Sequence, residues 1–240
     1  MVARNLVTAP VWIGQALRLA LTAPRLPEAT GPRAGRVGAG KLRLLILGDS
    51  SAAGVGVARQ EEALAGRLVA ELADTEPDWR LEAKSGATTA AALRWAETLP
   101  EGRYDAAVLA LGVNDVTRAV PLARWLARQR ALAAVLRSRF GVQRLYLSGV
   151  PPMGAFPALP QPLRAVLGQR AERFDAALRL LAAELPAARH LPFDPALLNP
   201  GMMAADGYHP GPEIYRLWAA ELARLIRTDF QHLAGKGQVT

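Results

Sequence analysis

Three side chains in this sequence could together perform nucleophilic acyl chemistry. Ser50 stands in Gly48-Asp49-Ser50, directly after the aliphatic run Leu44-Leu45-Ile46-Leu47. Asp206 precedes His209 by three residues in Asp206-Gly207-Tyr208-His209-Pro210. At that spacing an acid can turn back to hold one imidazole nitrogen while the other faces a serine hydroxyl, which is the arrangement of nucleophile, base and orienter. A developing oxyanion would need donors, and the backbone N–H groups of Ser50 and Gly86 with the side-chain amide of Asn114 suit that task. Glycine lets the backbone approach closely, and asparagine donates without bringing a negative charge of its own. Ser51 is the competing hydroxyl, and the strand exit favours Ser50 over it. Asp49 and Asp115 read as acids that fix their loops, and His190 and His232 as structural or solvated histidines.

These residues sit where an α/β sheet would place them. Four consecutive large aliphatic residues at 44–47 predict a strand buried on both faces, the kind found inside a parallel sheet. A second fully apolar strand is predicted at 105–111, ending in Gly112-Val113-Asn114-Asp115. Strands are also predicted at 80–84, at the sheet's edge, at 145–147 and at 190–193. Between them, helical stripes run through 61–74, 87–99, the segment after Pro121, 163–185 and a last helix starting at Pro212. Trp95, Trp125 and Trp218 lie on those stripes and read as core. Strands alternating with helices predict a parallel sheet covered on both faces. In the common order 2-1-3-4-5 the first strand lies between the second and third. The ends carrying Ser50, Gly86 and Asn114 are then neighbours at the crevice where such sheets bind ligands.

Composition narrows the alternatives. A chain of 240 residues supports one good-sized domain, here expected over 42–230, with an extension at 1–41 and a tail at 231–240. Cysteine is absent, which removes disulfides and thiolate chemistry and is compatible with the cytoplasm. Three histidines far apart make a histidine metal site improbable, and neither metal nor cofactor is expected. The net charge of +8 is concentrated in residues 1–43, which carry seven basic side chains against Glu28; the rest of the chain is close to neutral. That distribution argues against nucleic acid and leaves two readings of the basic leader, a solvated tail or a peripheral contact with an anionic membrane. Within the leader, Trp12, Ala16, Leu19 and Ala20 fall on one helical face, as in a helix packed on the domain, and residues 24–41 read as an irregular connector. The apolar stretch is interrupted by Gln15 and Arg18 and is too short to span a bilayer. No Gly-x-Gly-x-x-Gly and no Gly-Lys-Ser/Thr follows the first strand, so nucleotide binding lacks its usual loop.

With these residues in hand, the sequence resembles the SGNH hydrolases, also called the GDSL esterase/lipase family. The blocks that carry the resemblance are Gly48-Asp49-Ser50, Gly86, Gly112-Val113-Asn114-Asp115 and Asp206-Gly207-Tyr208-His209-Pro210, in the family's order, over about residues 42–228. The resemblance implies a flavodoxin-like three-layer α/β/α fold with a five-stranded parallel sheet. It also implies Ser50 as nucleophile, Asp206 and His209 as the rest of the triad, and Ser50, Gly86 and Asn114 as the oxyanion hole. Ser51 stands where the family's name-giving leucine usually sits. The activity expected is cleavage of carboxylic esters, with short-to-medium acyl chains, through an acyl-enzyme on Ser50. A thioesterase or lysophospholipase acting on longer chains is the alternative enzyme, and a catalytically silent lipid- or partner-binding protein the alternative from another class. Met153, Phe156 and Tyr208 are the expected substrate-binding residues. The first two lie on a loop stiffened by Pro151, Pro152, Pro157, Pro160 and Pro162, which would wall off long acyl chains.

Overall fold

A computed structural model describes residues 9–22, 24–194 and 199–233 of the chain. In order, its elements are α1 (Ala9–Thr22), β1 (Ala34–Arg36), β2 (Leu42–Gly48), α2 (Leu64–Glu71), β3 (Pro77–Ala83), α3 (Thr89–Thr98), β4 (Ala106–Ala110), α4 (Val113–Thr117), α5 (Leu122–Phe140), β5 (Arg144–Ser148), α6 (Leu163–Glu184), β6 (Ala188–Leu191) and α7 (Pro212–Asp229). Strand β2 is the centre. Successive side chains of a strand point to opposite faces, so Leu45 and Leu47 enter one core while Leu44 and Ile46 enter the other. Helices α3, α5 and α6 cover the first face with residues such as Ala92, Trp125 and Phe174, and α2 and α7 cover the second with Leu64, Leu68, Tyr215 and Leu222. A strand covered on both sides has no place for a polar alternation, which is why the aliphatic run is unbroken. Each such leucine contributes about 1.5–3 kcal/mol by leaving water.

The sheet order is β1-β3-β2-β4-β5-β6. The five parallel strands therefore follow the expected 2-1-3-4-5 order in a three-layer α/β/α fold. The strand count needs correction: the sheet has six strands, because β1 pairs antiparallel with β3, Ala34 opposite Arg80. Consequently β3 is not the edge. All three β1 residues are exposed, so no apolar pattern marks the strand, and it is held through its backbone inside a stretch read as connector. The last strand also begins two residues earlier than its apolar residues suggest, at Ala188.

Helix α1 packs on the α6 side through Trp12, Ala16 and Leu19. Gln15 pins it there: its Nε2 donates to the Gln161 carbonyl at 2.7 Å, and its Oε1 accepts from the Leu163 N–H at 3.1 Å. The second bond satisfies one of the N–H groups that the first turn of α6 leaves without an intrahelical partner. Ile13, Leu17 and Leu21, spaced four apart on the outer side of α1, are exposed. No helix among the described residues is long and apolar enough to cross a membrane. Arg4 of the basic leader and residues 234–240 of the expected tail lie outside the described residues.

Candidate active site

Parallel register brings the three strand exits together. Gly48, the last residue of β2, is opposite Ala83 of β3 and Ala110 of β4. The chain then leaves the sheet at Asp49-Ser50, Ser85-Gly86 and Val113-Asn114. The fourth contributor, the loop between β6 and α7, is folded back by an antiparallel bridge between Met203 and Pro210 and by Ala204 N–H donating to the His209 carbonyl at 2.9 Å.

In that loop the Asp206 carboxylate accepts three bonds. Its Oδ1 takes the N–H groups of Tyr208 and His209, each at 3.0 Å, and its Oδ2 takes His209 Nδ1 at 2.5 Å. The opposite nitrogen, His209 Nε2, lies 3.0 Å from Ser50 Oγ. Burial alone would raise the Asp206 carboxyl, but the bonds from His209 and Tyr208 outweigh it and hold the group below its ordinary range. An ionised Asp206 fixes the proton on Nδ1 and leaves Nε2 free to accept, so the geometry suits removal of a proton from Ser50. Ser51 is differently engaged: its hydroxyl donates to Asp49 Oδ1 at 2.8 Å, as does its N–H at 3.0 Å.

Asp49 itself is buried and central. Besides Ser51 it accepts one N–H of Asn114 Nδ2 at 3.2 Å, which leaves the second amide hydrogen to point elsewhere. Burial pushes its carboxyl upward, against the bonds from Ser51 and Asn114 that hold it down. Asp115 anchors the same corner from behind. Its Oδ2 accepts the Thr89 N–H and hydroxyl, each at 2.9 Å, and Trp125 Nε1 and Gln129 Nε2 both donate to that hydroxyl. Both acids thus fix their loops, and α4 is tied to α3 and α5 with Asn114 on it. The N–H groups of Ser50 and Gly86 find no acceptor among the described residues. Gly86 has φ +77°, a conformation that glycine adopts without penalty.

Beside Ser50 lies a cavity of about 60 Å³ whose walls include Leu111, Val113, Phe156, Tyr208 and Trp218. Tyr208 stands edge-on to both Phe156 and His209, with ring centroids 5.1 and 5.2 Å apart. Two expectations change here. Met153 is fully buried in the core and does not line this cavity; its turn packs on α6. Trp218, read as core, is partly buried, borders the cavity and donates its indole N–H to Ser148 Oγ at 3.2 Å. His190 is structural, its Nε2 2.9 Å from Asp175 Oδ1. Among the described residues no group of three histidine, aspartate or glutamate side chains converges as a metal site requires.

Gly56 escaped the sequence reading. It has φ +109°, and a β-carbon there would stand 2.1 Å from the carbonyl oxygen of Pro210, the residue after His209. Alanine at 56 must therefore push the histidine loop. Overpacking of this kind costs about 1–3 kcal/mol, and a displacement of roughly 1 Å at a reacting group can cost on the order of a hundredfold in rate. Gly56→Ala is expected to lower both the melting temperature and kcat. An unchanged kcat in the folded variant would show that the loop does not depend on this contact.

Comparison with known proteins bears on the family and the fold. Residues 46–217 match the model of the GDSL-like lipase/acylhydrolase family. The GDSL-like esterase Rv1075c of Mycobacterium tuberculosis is 32% identical over an alignment of 202 residues that covers 78% of this chain and 62% of that relative's length. Among solved structures, TesA superposes with a TM-score of 0.59 at 25% identity, covering 80% of this chain and 99% of that one. The psychrotrophic esterase EstA from Pseudoalteromonas sp. gives 0.59 at 20% identity, covering 79% and 98%.

Proposed function

This chain belongs to the GDSL-like lipase/acylhydrolase family, and from that premise we propose that it hydrolyses carboxylic esters through an acyl-enzyme on Ser50. The observation that carries the reading is the relay from Ser50 Oγ to His209 Nε2 at 3.0 Å and from His209 Nδ1 to Asp206 at 2.5 Å. Ser50 Oγ attacks the carbonyl carbon while its proton passes to Nε2. The tetrahedral oxyanion is held by the N–H groups of Ser50 and Gly86 and the free amide hydrogen of Asn114. Collapse expels the alkoxide, which takes the proton from His209. Water then attacks the acyl-enzyme, again giving its proton to Nε2, and collapse releases the acid and restores Ser50.

In this mechanism Asn114 meets a charge that exists only in the transition state. Asn114→Ala is expected to lower kcat by roughly a hundredfold to a thousandfold with a much smaller change in KM. A large rise in KM at unchanged kcat would make Asn114 a ground-state binding residue instead.

The acyl group takes the cavity beside Ser50. That cavity is walled by apolar side chains, Leu111, Val113, Phe156, Tyr208 and Trp218 among them. Phe156 and Tyr208 close that space, so short to medium acyl chains fit and long ones require the pair to part. A series of nitrophenyl esters from acetyl to palmitoyl, with one acyl thioester, tests this, together with fluorophosphonate labelling read by peptide mass. The expected result is an optimum at six carbons or fewer and label on Ser50. An optimum at twelve carbons or beyond would favour a lysophospholipase, preference for the thioester a thioesterase, and neither turnover nor label a silent binding protein.

A second reading concerns α1. Its outward stripe of Ile13, Leu17 and Leu21 is exposed, and Arg18 and Arg25 occur in the same stretch of sequence, a combination that supports peripheral contact with an anionic bilayer. Co-sedimentation with anionic but not neutral vesicles, lost on Leu17→Glu, is the expected behaviour.

A further inference from the structure

Two spaces meet at His209, and they differ in size and in what they touch. The small cavity includes Ser50. The other is a groove of about 790 Å³ that begins at Asp206, Tyr208 and His209 and runs between α1 and the α4–α6 side of the domain. Its walls are apolar: Trp12, Ala16 and Leu19 from α1 face Leu159, Leu163 and Val166. The two cations on its border are already committed. Arg118 donates to the Gly86 carbonyl at 3.0 Å, and Arg170 donates to the carbonyls of Val116 and Val120 and lies 4.9 Å from the Phe174 ring centroid. A ligand part lying against the apolar walls is itself apolar, and the volume falls in the range of small-molecule sites, ~300–1,000 Å³.

The mechanism says which part of the ester it is. The acyl carbon is bonded to Ser50 Oγ, so the acyl chain extends into the space that Ser50 lines. The leaving oxygen collects its proton from His209 Nε2, so the alcohol extends from the histidine side. We propose that the groove between α1 and the domain binds the alcohol part of the ester, and that this part is an extended apolar group, aryl or long alkyl. The inference rests on the ester hydrolase reading and deepens it: a small acid is cleaved from a large apolar alcohol. Helix α1 lies outside residues 46–217, which the family model matches, so this wall is an addition to the matched core. Gln15 holds it in place by the two bonds that tie α1 to Gln161 and Leu163.

The test keeps the acyl group constant and varies the alcohol. Acetyl esters share one acetyl-enzyme, so kcat can be common to all of them, whereas kcat/KM reports acylation and with it the alcohol. The ratio of kcat/KM for 1-naphthyl acetate to that for methyl acetate is measured in wild type, Ala16→Trp and Val166→Trp. The ratio cancels intrinsic leaving-group reactivity between variants, and the two substitutions fill the groove from opposite walls, so one folded variant suffices. A fall of tenfold or more in a folded variant, with 1-naphthol a competitive inhibitor of the wild type, is the expected result. An unmoved ratio overturns the assignment. So does a fall in the ratio of methyl hexanoate to methyl acetate in its place, which would put the acyl chain in the groove. A wild type that hydrolyses none of these esters and leaves Ser50 unlabelled by a fluorophosphonate sinks the hydrolase reading itself.

Discussion

Ser50→Ala is expected to reduce ester hydrolysis on the order of a millionfold, the scale seen when a serine hydrolase loses its nucleophile, while leaving the melting temperature nearly unchanged. The side chain of Ser50 bonds to His209 Nε2, and His209 keeps 19% of its side-chain surface exposed, so its nitrogen can turn to water when the hydroxyl is gone. Nothing in the core leans on the serine. Ser51→Ala is the matched control, because the two hydroxyls are adjacent and only their partners differ. The Ser51 hydroxyl donates to the buried carboxylate of Asp49, and losing it leaves that carboxylate one donor short. A loss of stability of about 1–3 kcal/mol with a modest loss of rate follows. Near-normal turnover in Ser50→Ala together with deep loss in Ser51→Ala would reverse the assignment of the nucleophile.

The contrast between those two serines also shows what a sequence makes legible. The unbroken run of Leu44 to Leu47 could be read as a strand buried on both faces because burial leaves its mark in residue type. Where the run ends, Ser50 had to stand at the ligand-binding edge. The strand β1 left no such mark, since its three residues are exposed and held by backbone bonds to β3, which any residue type can make. Met153 failed for a related reason. A methionine on a proline-rich loop looks available to a substrate, yet whether a loop side chain turns inward depends on the helix that packs over it, here α6. Trp218 shows the reverse, a residue on a helical stripe whose ring reaches past the core to the cavity.

Asp49, Asp115 and Gly56 form a third case. Each lies within or near a recognisable motif, and the role of each is set by contacts across the chain. Asp49 meets Asn114, 65 positions away. Asp115 meets Thr89, which also carries the bonds of Trp125 and Gln129. Gly56 is shaped by the carbonyl of Pro210. Such pairings follow from strand order, so they become readable only once the sheet is assembled.

Asp206→Asn carries the second large effect, and it separates chemistry from scaffolding. Asparagine keeps a carbonyl oxygen in the place of Oδ1, so the N–H groups of Tyr208 and His209 retain their acceptor and the loop retains its turn. In place of Oδ2, however, the amide presents N–H to His209 Nδ1. The imidazole must then accept at Nδ1 and carry its proton on Nε2, which faces Ser50. That tautomer cannot take the serine's proton, and in the trypsin-type triad the same exchange lowers kcat about ten-thousandfold with the geometry intact. A loss of similar size is expected here with little change in melting temperature. Asp206→Ala removes both acceptors, leaves two loop N–H groups unpaired and should lose stability as well as rate. If Asp206→Asn kept activity within tenfold of wild type, His209 would not owe its tautomer to Asp206, and the relay that carries the proposed mechanism would have to be rebuilt without it.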